Sequence, residues 1–115
     1  MTLTFTEICI DAHDIHALSS FWSAVLGWPT EPTEDGDVLL RAPEGAGPDW
    51  LFVPVPDDKI VKNRIHFDFT PDDQQAEVDR VFGLGARPVD IGQGEQTWVV
   101  LADPEGNEFC ILSGV

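Results

Sequence analysis

Apolar residues alternate with polar ones in RIHFDF, residues 64–69, where Ile65, Phe67 and Phe69 interleave with His66 and Asp68. That period of two predicts a strand with one oily face and one face carrying a histidine and a carboxylate. The period then changes. Over residues 13–26, Ile15, Leu18, Trp22, Val25 and Leu26 recur at helical spacing, with His16, Ser19 and Ser23 expected off the stripe. Gly27 supplies a left-handed stop. A second helix is expected over 72–83, with Val78, Val81 and Phe82 inward and Pro71 at its first position. Thr70 and Asp11 are candidate caps, each followed three residues later by an aspartate, Asp73 or Asp14, near the positive end of a helix dipole.

The two halves of the chain repeat one another. Moved by 59 residues, EICIDAHD (7–14) falls on the second strand, so that Glu7 meets His66 and Cys9 meets Asp68. Further on, VLLRAPEG (38–45) answers VVLADPEG (99–106), and DWLFV (49–53) answers EFCIL (108–112). Each copy therefore reads strand, helix, three strands, with a first module over 3–55, a linker over 56–62 and a second module over 63–113. Helices that cover one face of each sheet leave the other bare, and parity puts His66, Asp68, Glu7 and Cys9 on that bare face. The predicted class is α+β: two tandem βαβββ modules forming a curved mixed sheet, two half-barrels, with helices outside and a trough within.

Charge narrows the partners. With 6 Lys+Arg against 21 Asp+Glu the formal net charge is −15, which removes the main attraction to nucleic-acid phosphates and to anionic membranes. No apolar run approaches a membrane span. The opening residues show no export signal, which points to a cytoplasmic protein with its two cysteines reduced. No phosphate loop and no nucleophile elbow is present.

The tandem modules, with NRIHFDF opening the second, LADPEGNEFCIL closing it and DIHALSSFWSAVLGWP as the first helix, resemble the small glyoxalase-like domain proteins of the vicinal oxygen chelate superfamily. Glyoxalase I, bleomycin-resistance proteins and extradiol dioxygenases share that superfamily. The resemblance implies a small organic ligand in the trough and a homodimer. It also implies four metal-ligand positions, which here are Glu7, Leu51, His66 and Cys110. Leu51 has no donor atom and Cys110 stands where a carboxylate is expected, so the expectation is a metal-free pocket and no true glyoxalase I activity. A divalent ion (Zn, Ni, Fe or Mn) on Glu7, His66 and Cys110 is the alternative. Glu7 and His66 are the candidate acid–base pair for a lyase- or isomerase-type proton transfer on a small carbonyl compound. Asp68, Cys9, Trp50, Trp98 and Arg64 are the candidate ligand contacts, the two tryptophans as stacking surfaces. Lys62 is a further candidate for meeting an anionic ligand.

Overall fold

The computed structural model describes residues 2–114. Its elements run β1 (Glu7–Ala12), α1 (Ile15–Leu26), β2 (Thr30–Pro32), β3 (Val38–Leu40), β4 (Asp49–Pro54), β5 (Phe67–Phe69), α2 (Gln74–Leu84), β6 (Arg87–Pro88), β7 (Val99–Ala102) and β8 (Glu108–Ile111). The strands make two four-stranded sheets, ordered β1-β4-β3-β2 and β5-β8-β7-β6. In each sheet the first and last strands of the module pair in parallel, and the other pairings are antiparallel. The chain separates into two compact units between Asp58 and Lys59.

The repeat extends to the hydrogen-bond register. Cys9 pairs with Leu51 in the first sheet as Asp68 pairs with Cys110 in the second. Leu39 pairs with Leu51 as Val100 pairs with Cys110. A one-residue slip would turn every side chain of a strand to the opposite face, so equal register means that equivalent positions share a face in both modules.

In the first module, α1 packs across the sheet on the face formed by Val38, Leu40, Trp50 and Phe52, all buried. Ile15, Leu18, Phe21 and Trp22 form the buried side of the helix. Trp22 and Trp50 meet edge to face with ring centroids 5.2 Å apart, the arrangement that aromatic quadrupoles favour. In the second module, α2 lies against β8 and buries Val78 and Val81. Its first residue fixes it in place: the Gln74 side-chain amide donates to the carbonyls of Thr97, Ile111 and Leu112.

Several local expectations change. The N-caps are Asp14 and Asp73, whose side chains accept from the amides of Ala17 and Ala76, so Asp11 and Thr70 do not cap. Each helix starts two residues later than the apolar spacing suggests, because the caps are the aspartates. Pro71 is buried ahead of α2 rather than inside its first turn. Ser19, expected off the stripe, is buried with its hydroxyl donating to the His16 carbonyl. Phe82, expected inward, is exposed, and α2 buries Val78 and Val81 instead. Ile65 is exposed too, because β5 begins only at Phe67. Gly27 does end α1, at φ 72°.

Candidate functional site

The helix-facing side of the second sheet holds Phe67, Phe69, Phe109 and Ile111, with Phe69 and Phe109 in edge-to-face contact. Alternation places Asp68 and Cys110 on the opposite face, and His66, two residues before Asp68, shares it. Two strand positions and the residue just before β5 thus bring one carboxylate, one thiol and one imidazole together. A donor atom from each of His66, Asp68 and Cys110 lies within 4.8 Å of the others. His66 Nε2 stands 3.4 Å from Asp68 Oδ1, and both side chains are well exposed, at 40% and 50%. Cys110 is buried. Burial, followed by the Asp68 charge and a hydrogen bond to it, pushes the Cys110 thiol up, while Lys62 pulls the other way. The resting group is therefore a neutral thiol donating to a carboxylate that also faces the imidazole.

A second polar construction fixes the approach to this group. Glu108, buried within β8, accepts from Lys59 Nζ at 2.9 Å and from the Asn63 amide at 2.8 Å. Burial alone would raise the Glu108 pKa, but the Asn63 amide and Lys59 together hold it below the usual carboxylate range. The Asn63 side chain donates to Asn107, and Asn107 in turn donates to the fully buried Asp103. Asp103 Oδ1 also accepts from the Glu105 and Asn107 amides and so closes the Pro-Glu-Gly turn. Residues 59–63, expected in part as linker, are thereby tied to β8 three residues ahead of His66. Sequence reading missed this network. Its signal was Glu108 itself, a carboxylate opening the apolar run EFCIL.

The other candidates are dispersed. Glu7 is half-buried on β1, opposite Asp49, and belongs to the first unit. Cys9 is exposed on the same face of β1; burial, then Glu7, Asp11 and Asp37, raise its thiol pKa. Leu51 pairs with Cys9 and offers no donor. Trp50 was expected to stack on a ligand, but it lies on the helix-facing side, 5% exposed, among Trp22, Trp28 and Phe52. Its position in β4 has the parity of the core. Trp98, just before β7, is 38% exposed. Arg64 and Lys62 are exposed ahead of β5. The positions assigned to a metal by family resemblance do not make an oxygen-rich set, because Leu51 cannot ligate and Cys110 brings sulfur.

Tandem βαβββ modules in matched register, with titratable side chains on the face that the helices leave open, define a two-module glyoxalase-type protein. The family model described as "Glyoxalase-like domain" matches residues 7–112. The chain belongs to that family. No curated protein matches it by sequence. Solved structures share its fold at low identity. The fosfomycin resistance protein FosX from Mesorhizobium loti is 14% identical with a TM-score of 0.72, over 100% of this chain and 94% of that one. FosX from Listeria monocytogenes, complexed with Mn(II) and dihydroxypropylphosphonic acid, is 15% identical with a TM-score of 0.71, over 100% and 93%. A glyoxalase/bleomycin resistance protein/dioxygenase family enzyme from Burkholderia phytofirmans PsJN is 20% identical with a TM-score of 0.68, over 92% and 94%. No helix among the described residues is long and apolar enough to cross a membrane.

Proposed function

We propose that the chain binds a small polar organic molecule on the helix-free face of the second sheet, without the metal set implied by family resemblance. The observation that carries this reading is the grouping of His66, Asp68 and Cys110. A buried thiol beside two exposed polar side chains combines a desolvated floor with a donor and an acceptor, the composition of a small-molecule site. The missing donor at Leu51 supports recognition by hydrogen bonds. The Asp68 carboxylate at the centre favours hydroxyl- or amine-bearing ligands over phosphonates such as the one in the Listeria neighbour, since two anions would meet there.

A second reading is an enzyme that moves a proton on a small carbonyl compound. In it His66 moves the proton, and one observation favours that residue. Asp68, 3.4 Å away, is placed to orient the imidazole. Thermal-shift screening against neutral polyols, amino compounds, aldehydes and carboxylic acids tests both readings. Binding predicts hits that disappear in His66→Ala and Asp68→Asn and stay chemically intact on incubation. Turnover of a hit, abolished in His66→Ala, selects the enzyme reading. Hits indifferent to both substitutions refute the site.

A further inference from the structure

We propose that His66, Asp68 and Cys110 form a binding site for a thiophilic divalent ion, zinc above all, held by three protein ligands from one module with a fourth position open. The argument is geometric. A tetrahedral zinc with Zn–N and Zn–O near 2.0–2.1 Å and Zn–S near 2.3 Å has ligands roughly 3.3–3.8 Å apart. His66 Nε2 and Asp68 Oδ1 already stand 3.4 Å apart. All three donors lie within 4.8 Å of one another, so side-chain adjustment of about 1 Å brings them to those separations.

The backbone holds this spacing. His66 immediately precedes β5 and reaches Asp68 on that strand, and Cys110 is the register partner of Asp68 on β8. The Glu108–Lys59–Asn63 network fastens the chain just before His66. The donors themselves choose the ion. One imidazole, one carboxylate and one thiolate suit zinc or cobalt(II), whereas Mg(II) and Mn(II) prefer oxygen. Cys110 is a thiol in the resting protein, so binding releases its proton to solvent and replaces the S–H contact to Asp68 with a metal–sulfur bond. No electron is transferred. Because His66 and Asp68 are exposed, the fourth position is open to water or to a small ligand.

This set differs from the one implied by family resemblance, because Asp68 takes the place of Glu7 and no ligand comes from the first module. The inference goes beyond the organic-ligand reading while sharing its three side chains, and its test is read by metal alone, so the two can fail separately.

Cobalt(II) chloride titrated into the reduced protein should give one equivalent of tetrahedral d–d absorption with a near-ultraviolet sulfur-to-cobalt band. Asp68→Asn, His66→Gln and Cys110→Ser should each weaken binding by at least about tenfold, the smaller loss typical of even an outer partner of a metal site. Cys110→Ser should also abolish the sulfur band, and Glu7→Gln and Cys9→Ser should leave the titration unchanged. On the unsubstituted chain, zinc chloride should slow alkylation of Cys110, but not of Cys9, in a mass-spectrometric time course. The proposal is overturned if no sulfur band appears, if Glu7→Gln removes binding while Asp68→Asn does not, or if zinc fails to protect Cys110.

Discussion

Glu108→Gln is the substitution whose outcome the structure fixes most tightly. The wild-type carboxylate is 9% exposed and the Lys59 side chain 17%, and the two oxygens accept from Lys59 and from the Asn63 amide separately. Glutamine keeps one acceptor and turns the other into a donor, so either the ammonium or the amide faces an N–H. Exposed ion pairs are worth about 0–1 kcal/mol, and breaking a fully buried one costs about 3–5 kcal/mol. This pair lies between, and the expected loss is about 2–3 kcal/mol, consistent with hydrogen bonds to charged groups. For a chain of this size that is a fall in Tm of roughly 6–15 °C.

Urea unfolding with and without Lys59→Met gives the double-mutant cycle, in which a coupling of at least about 1 kcal/mol is expected. The pH dependence has a definite sign. A folded-state pKa below the ordinary value makes the Glu108 contribution complete above about pH 5 and lost as pH falls through the lower folded pKa. Glu108→Gln should therefore flatten the acid limb of the stability curve. Native-state hydrogen exchange should show the Asn63 amide losing protection first. Urea curves for Glu108→Gln and wild type that agree within about 0.5 kcal/mol, well under the value of even one charged hydrogen bond, would refute the reasoning.

Four further outcomes follow from the same structure. Trp50→Ala should cost about 3–5 kcal/mol by calorimetry, because its ring fills the core against Trp22 rather than lining a site. Asp14→Ala and Asp73→Ala should each cost about 1 kcal/mol in chemical denaturation, and Asp11→Ala, which removes no cap, should cost much less. Iodoacetamide should label exposed Cys9 ahead of buried Cys110 in the native protein. Both rates should keep rising with pH past the ordinary thiol range, because both pKa values are raised. The triple change Glu7→His, Cys9→Asp and Leu51→Cys should raise cobalt stoichiometry from one to two, since the register of the first module sets those positions out as the second sets out His66, Asp68 and Cys110.

The backbone plan was legible because it is written twice. A shift of 59 residues aligned the first and last strands of the modules, and an extra two residues in the first Pro-Glu-Gly connection accounted for the different shift of the strands between them. Alternation then sorted most faces correctly, since Phe67, Phe69, Phe109 and Ile111 could reach the helix side only if Asp68 and Cys110 did not. Trp50 was misjudged for want of that same parity argument: its neighbours Leu51 and Phe52 fix its direction, and Phe52 is core. Helix starts were misjudged because apolar spacing locates a packed face and not the residue whose oxygen takes the first free amides.

What the pattern could not supply was the grouping across strands. His66 and Asp68 share a face by sequence alone, but their joining with Cys110 depends on β5 lying parallel beside β8 in one particular register, a contact that spans 42 residues (110 − 68). The repeat contained the means to infer it, through Cys9 opposite Leu51 in the first module, yet there the equivalent pair is a thiol and a leucine and carries no chemical signal. The two modules keep one backbone and differ in what they place on it. The first has leucine at position 51, while the second has a donor at each of the equivalent positions 66, 68 and 110. Chemistry in this chain therefore follows side-chain identity at conserved geometry: the metal-capable group falls in the second module because that is where histidine, aspartate and cysteine occupy positions that the fold brings together in either half.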